Sequence, residues 1–237
     1  MERLRSDDRI PAAVALPREG VLAPEAQKVL RNTYLLLALT MVPTAAGAWL
    51  GMATAQLIAS APILSFFVML AAVIGLQLGI ARYRNSAVGI GLLLLMTGLL
   101  GWFLGPLLDY ALALRNGAPL VGYAALGTGA VFVAMAAIAT ATRRDFSFLG
   151  KFLFVGMIVL LVAIVANLFL QIPALALTIS SLVIVVFSLF LLHDLSRIVT
   201  GGETNYLMAT TGVYLSLFNI FANLLQLLIA FFGGERD

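Results

Sequence analysis

The chain has 237 residues, of which 62% are hydrophobic and 11% are charged, and its mean hydropathy is +1.07. A soluble domain cannot bury that much apolar surface, so the composition excludes a water-soluble fold and predicts an integral membrane protein. The absence of cysteine excludes disulfides and thiolate chemistry, and a single histidine excludes a histidine-rich metal cluster. The formal net charge is only +3, and we expect no nucleic-acid partner.

The first 30 residues are polar, contain prolines and carry charges of both signs. They lack a basic segment that leads directly into a short apolar core, so they do not resemble a signal peptide. We predict a flexible cytoplasmic tail over residues 1–30, with a short helix near Pro24 to Arg31. A membrane domain follows over residues 31–237.

Seven apolar runs are long enough to cross a membrane, since a bilayer core of ~30 Å requires about 20 apolar residues per helix. Pro62, Pro119 and Pro173 each begin a run, at the position where a missing N–H costs least. The alternating pattern of a β-barrel is absent. The predicted fold class is an all-α integral membrane protein with seven transmembrane helices, which span residues 33–54, 62–81, 86–108, 119–141, 148–170, 173–193 and 206–232.

Lysine and arginine are distributed unequally between the two sides of these spans. Twelve fall in the tail and in the second, fourth and sixth connections, whereas only Arg115 and Arg236 fall on the opposite side. Because cytoplasmic loops of membrane proteins are enriched in basic residues, the N-terminus is predicted to be cytoplasmic and the C-terminus external.

Glycines recur at a spacing of four within three of the spans. Small residues at this spacing allow two helix backbones to approach closely in lipid, so we interpret these glycines as packing residues. The pairs are Gly47/Gly51, Gly75/Gly79 and Gly101/Gly105.

The last span carries small and polar residues on one helical face, because their spacings are four, three, four and three. Amide side chains that face lipid would lack hydrogen-bond partners, at a cost of several kcal/mol each. The face therefore lines an internal crevice or forms hydrogen bonds between helices, and both interpretations stay open. Its members are Gly212, Ser216, Asn219, Asn223 and Gln226.

The connection before this span, residues 190–206, contains the strongest functional candidate, Asp194. An ionisable group at the end of a membrane helix is a functional hypothesis by default, because its burial is costly. We treat Asp194 as a candidate pH-sensing or gating group. Its candidate neighbours are Arg197, Glu203 and, from another connection, Arg82 or Arg84.

A structural alternative is that Asp194 and Arg197 form an interfacial ion pair that only marks the helix end. His193 is adjacent in sequence, so on a helix it points ~100° away from Asp194. We therefore expect His193 to lie at the interface without pairing with Asp194, as a second pH-responsive group.

Enzymatic functions find no support in the motifs of the chain. It contains no HExxH, no GxSxG, no nucleotide-binding loop and no paired membrane aspartates. A retinal protein would need a lysine in the last helix, whereas the two lysines are Lys28 and Lys151. We expect no enzymatic activity and no cofactor.

Three segments resemble the Bax-inhibitor family of seven-helix membrane proteins (transmembrane Bax inhibitor motif). They are TGLLGWFLGPLLDY, TRRDFSFLGKFLFVGMIVLL and HDLSRIVTGGETNYLMATTGVYLSLFNIFANLLQLL, and the resemblance extends from about residue 30 to residue 232. GGETNY and YLSLFNIF are most similar to the bacterial YccA-type branch. The resemblance implies six helices around a central seventh and a bacterial inner-membrane location.

The resemblance also implies candidate functions. The family is associated with a pH-sensitive calcium leak, in which two aspartates on the last two helices form a latch. The first matches Asp194, but the second falls at Ser216, which cannot titrate. The resemblance thereby makes Asp194 a candidate contact for a calcium pathway, without a firm metal site. The YccA-type branch is associated with modulation of the membrane protease FtsH.

Our leading hypothesis is therefore an inner-membrane regulator that binds and modulates an FtsH-like AAA protease through its tail and basic loops. The alternatives are a pH-sensitive calcium or cation leak channel gated at Asp194, and a structural membrane protein without transport.

Overall fold

The computed structural model describes residues 23–233, so most of the predicted tail over residues 1–30 lies outside the described residues. Within residues 23–233 the chain is helical and contains no β-strand. Seven of the eight described helices are long and apolar enough to cross a membrane, and the exception is a short helix of 5 residues. The predicted all-α class with seven membrane helices is thus confirmed. The helices are α1 (Pro24–Ala53), α2 (Ala55–Ala59), α3 (Pro62–Arg82), α4 (Ala87–Leu112), α5 (Gly117–Thr142), α6 (Leu149–Leu170), α7 (Pro173–Val199) and α8 (Tyr206–Phe232).

Proline marks where several of these helices begin. Pro24, Pro62 and Pro173 are the first residues of α1, α3 and α7, where the fixed backbone angle of proline suits a helix and no N–H is required. Pro119 differs from the prediction, because α5 begins two residues earlier, at Gly117. The predicted short helix near Pro24 is the first part of the continuous α1.

Helix α7 is longer than predicted. It continues to Val199, six residues beyond the predicted end at residue 193. His193, Asp194 and Arg197 are therefore helical residues in the last two turns of α7, not residues of a loop. Their charges made this segment resemble a connection in the sequence.

The bundle has two ends, which we name by the chain termini nearest to them. At the N-terminal end lie the start of α1 and the α3–α4, α5–α6 and α7–α8 connections. At the C-terminal end lie the α4–α5 and α6–α7 connections and the end of α8, where Asn116 Nδ2 donates to the Phe232 carbonyl at 2.6 Å. Among the described residues, eight lysines and arginines lie at the N-terminal end and only Arg115 lies at the other.

Helix α8 packs against α1, α3, α4, α5 and α7, and α1 runs closely along α4. Helix α6 lies against α7 at the edge of the bundle. The arrangement of six helices around a central α8 is therefore not confirmed, although α8 has more helical neighbours than α6 does.

Glycines produce the close contact between α1 and α4. A Cβ atom at Gly101 would collide with the carbonyl of Thr44, and one at Gly105 would collide with the backbone of Gly51. Two of the three predicted glycine pairs thus lie where two helix backbones meet. The third prediction is wrong at Gly75, where a Cβ atom would meet open space.

Replacement of Gly105 by alanine should therefore destabilise the protein. Overpacking costs roughly 1–3 kcal/mol, which outweighs the gain of about 1 kcal/mol in helix propensity. The matched Gly75→Ala variant gains helix propensity, and its added Cβ atom does not collide with a neighbouring helix. Thermal unfolding in detergent, followed by circular dichroism, should give a lower midpoint for Gly105→Ala than for wild type. Equal midpoints for the two variants would contradict the assigned contact.

Candidate functional site

The α7–α8 connection is a tight, hydrogen-bonded turn. Arg197 Nη2 donates to the Gly202 carbonyl at 3.2 Å and to Glu203 Oε2 at 3.4 Å. The Glu203 N–H donates back to the Arg197 carbonyl at 3.0 Å, and Gly201 has a φ of +81°, which favours glycine. The predicted ion pair between Arg197 and Asp194 is therefore replaced by one between Arg197 and Glu203, because the turn brings Glu203 back over the end of α7.

Asn205 connects this turn to the start of α8 and to a second connection. Its Oδ1 accepts from the backbone N–H groups of Leu207 and Met208, both at 3.1 Å, and so caps α8. Its Nδ2 donates to the Arg84 carbonyl at 3.0 Å and to Asn85 Oδ1 at 2.8 Å. The α3–α4 connection is thereby fixed against the first residues of α8.

Asp194 pairs with His193. The distance from His193 Nδ1 to Asp194 Oδ1 is 3.0 Å, and the two side chains are 13% and 21% exposed, in that order. The expectation that these neighbours would not pair is wrong. Adjacent helical residues diverge at Cβ, but rotation about the side-chain bonds brings the ring nitrogen and the carboxylate oxygen together.

Two glycines provide the space for this His193–Asp194 pair. A Cβ atom at Gly212 of α8 would collide with Asp194 Oδ2, and one at Gly150 of α6 would lie 2.9 Å from His193 Nε2. The first residue of the predicted polar face on α8 therefore lies directly against the Asp194 carboxylate. This contact joins the two features that the sequence identified separately.

Asp145, in the α5–α6 connection, adds a further acid to this end of the bundle. The Ser147 N–H donates to Asp145 Oδ1 at 2.8 Å. Hydrogen bonds from the Ser147 side chain and backbone lower the pKa of Asp145, and the charges of His193 and Arg197 lower it further. Asp145 thus remains an anion close to the His193–Asp194 pair.

Arg82 is exposed in the last turn of α3, and the contacts from the α3–α4 connection to α8 are made by Arg84 and Asn85. Among residues 23–233, no group of three or more histidine and acidic side chains is arranged to hold a metal ion. A calcium contact at Asp194 therefore stays a prediction.

The rest of the predicted polar face divides into two parts. Ser216 is buried, with 2% exposure. Asn219, Asn223 and Gln226 line a crevice of about 370 Å³, together with Ser180, Asn167 and apolar side chains of α3, α4, α6 and α7. We refer to this space as the amide crevice.

Hydrogen bonds distinguish the two interpretations of this face. Asn219 Nδ2 donates to the Leu215 carbonyl and Asn223 Nδ2 donates to the Asn219 carbonyl, each at 2.9 Å and within α8. Gln226 Oε1 instead accepts from Ser180 Oγ of α7 at 3.2 Å. All three amide side chains line the crevice, and the bond to Ser180 also joins Gln226 to a second helix, so each interpretation describes part of this face.

Tyr214 is a polar contact that the sequence analysis missed. Its side chain is 2% exposed, and its hydroxyl lies 2.8 Å from Thr44 Oγ1 of α1 and donates to the Thr97 carbonyl of α4 at 3.3 Å. The sequence contained a chemical signal for this contact, since a tyrosine hydroxyl inside a membrane span requires a hydrogen-bond partner.

The contact between Gly212 and Asp194 can be tested through the single histidine of the chain. An alanine at Gly212 should push the Asp194 carboxylate away and break its hydrogen bond to His193. In tag-free protein labelled with ¹⁵N-histidine, the Nδ1 resonance should shift in the same direction in Gly212→Ala as in Asp194→Asn. Gly91→Ala, where a Cβ atom meets open space, should leave this resonance unchanged. An unshifted resonance in Gly212→Ala would contradict the contact.

Comparisons with known proteins give a consistent result. Residues 26–233 match the family model described as "Inhibitor of apoptosis-promoting Bax1". The chain is 41% identical over 201 residues to the Escherichia coli protein named "Modulator of FtsH protease YccA", which covers 85% of this chain and 89% of that protein. The equivalent protein of a second Escherichia coli strain is named "Inner membrane protein YccA".

An uncharacterized protein of Neisseria meningitidis is 42% identical over 211 residues, which cover 87% of this chain and 92% of that protein. An uncharacterized Pseudomonas aeruginosa protein is 39% identical over 211 residues, with 89% and 92% covered in the same order. The seven membrane helices and these matches show that this multi-pass membrane protein belongs to the Bax-inhibitor family, with YccA among its relatives.

Proposed function

We propose that this protein binds an FtsH-like membrane protease in the bacterial inner membrane and modulates its activity. The observation that carries the proposal is the similarity, over most of both chains, to a protein named as a modulator of FtsH. The proposal requires a surface on the side of the membrane where an ATP-driven protease acts. We assign this surface to the N-terminal end of the bundle.

Charge supports this assignment. Arg82 and Arg84 of the α3–α4 connection and Arg143 and Arg144 beside the α5–α6 connection are all exposed. Basic loops are enriched on the cytoplasmic side of membrane proteins, and a basic surface favours an acidic partner surface. Asn205 holds the α3–α4 connection in place, so part of this surface is preorganised.

The segment before α1 extends the proposed surface. Residues 1–22 contain four further arginines and four acidic residues, and α1 begins at Pro24. Chain termini are common sites of attack by proteases. We propose that this segment contributes to engagement of the protease.

Deletion of residues 2–22 should therefore weaken co-purification with the protease, while the first membrane helix stays complete. A matched variant replaces Arg3, Arg5, Arg9 and Arg18 by glutamine and keeps the length of the segment. If charge carries the contact, this variant should lose the protease to the same extent, and recovery from wild type should fall as salt is raised. Unchanged recovery from the deletion variant would contradict the role of the segment.

A calcium or cation leak is the second candidate function, favoured by the half-buried His193–Asp194 pair at the N-terminal end. A two-carboxylate latch would need an acid in place of Ser216. The regulator proposal does not require ion flux, and neither does a structural protein without transport.

Calcium flux into proteoliposomes between about pH 6 and pH 8 separates these functions, since histidine titrates within this range. The regulator proposal predicts the flux of empty liposomes at every pH. A gate at Asp194 predicts pH-dependent flux in wild type and loss of the pH dependence in Asp194→Asn. The second result would favour the leak over the regulator as the primary function.

A further inference from the structure

The amide crevice has the size and lining of a ligand site. Its volume of about 370 Å³ lies within the range of roughly 300–1,000 Å³ that is common for small-molecule sites. Phe66 and Met69 of α3 form one wall, Ile164 and Leu168 of α6 form another, and α8 contributes the polar floor. Helix α3 packs against α4 and α8, whereas α6 packs against α7. The two walls of the crevice therefore belong to different parts of the bundle.

The lining contains no ionisable side chain among the described residues. A charged group placed there would lose its hydration without gaining a partner of opposite charge, which is costly in an apolar environment. The chemistry of the walls therefore favours an uncharged ligand with a large apolar part.

The hydrogen-bond pattern of the floor defines what such a ligand must offer. A backbone carbonyl can only accept, so the amide nitrogens of Asn219 and Asn223 are the atoms that face Leu215 and Asn219 on α8. Their amide oxygens remain as acceptors, and both side chains line the crevice. Gln226 uses Oε1 to accept from Ser180, which leaves its amide nitrogen as a donor.

The position along α8 indicates where the ligand comes from. Asn219 is the middle residue of Tyr206–Phe232, and Gln226 lies six residues before its end. At about 1.5 Å per residue, the polar floor extends roughly 10 Å and lies about 9 Å or more from the end of the helix. This depth favours a ligand that enters the crevice from the bilayer.

We propose that the amide crevice binds an uncharged lipid with a free hydroxyl group and ester carbonyls, of the diacylglycerol class. The hydroxyl donates its single proton to the amide oxygen of Asn219 or Asn223, and an ester carbonyl accepts from the Gln226 amide. The acyl chains lie along the apolar walls that α3 and α6 provide. A quinone offers only acceptors and leaves the two asparagine oxygens unpaired, and a phospholipid brings a phosphate that no lining group neutralises. This inference is independent of protease modulation.

Binding of dioctanoylglycerol to the purified full chain in detergent, measured by native mass spectrometry, tests the proposal. Wild type should bind one molecule in a saturable manner, more tightly than decylubiquinone or a short-chain phosphatidylglycerol. The double variant Asn219→Leu and Asn223→Leu should weaken binding about tenfold or more, because the hydroxyl loses its acceptors. Gln77→Leu is the matched control, since Gln77 is an exposed amide within α3 that does not line the crevice.

A second variant tests the location without removing a polar group. Ala222 lines the crevice, and Ala222→Phe should fill it and abolish binding. Lipid binding is compared only for variants whose thermal unfolding midpoint equals that of wild type. A variant that unfolds is replaced by Asn223→Leu alone, which should weaken lipid binding several-fold. Binding that is not saturable, that is equal for all three lipids, or that survives both Ala222→Phe and the asparagine changes would overturn the proposal.

Discussion

Inside a membrane no water is present to satisfy a polar group, so each polar group needs a partner in the protein or in a molecule bound to it, and the packing of this helix bundle follows from that constraint. The polar side chains of α8 meet it in three ways. Asn219 and Asn223 bond to their own helix, Gln226 bonds to Ser180 of α7, and Tyr214 bonds to α1 and α4. The same helix thereby serves as a packing element and as the floor of a polar crevice.

Asp194 presents the constraint in its most demanding form, because it carries a carboxylate inside a membrane helix, five residues before the helix ends at Val199. Its partner is the neighbouring His193, and its space comes from Gly212 of α8. Three residues further along α7, Arg197 forms an ion pair with Glu203 and so stabilises the connection that leads to α8.

The sequence predicts the fold class and the number of spans well, because length and apolar composition alone decide whether a helix can cross a bilayer. It predicts the polar face of α8 for a similar reason, since the spacing of Gly212, Asn219 and Gln226 is a property of one helix. The end of α7 was predicted too early because charged residues near an interface resemble a loop although the helix continues to Val199. The partners of Asp194 and Arg197 depend on side-chain rotation and on the path of the turn, which spacing along a helix does not determine.

The proposed modulation of a membrane protease can be measured in a reconstituted system. The measurement is the rate at which a purified FtsH-like protease degrades a membrane protein substrate in proteoliposomes, as the amount of this protein is increased. We expect the rate to change in a saturable manner, and we expect that a larger amount of a variant lacking residues 2–22 is needed for the same change. A degradation rate that stays constant when this protein is present in excess over the protease would contradict the proposed modulation.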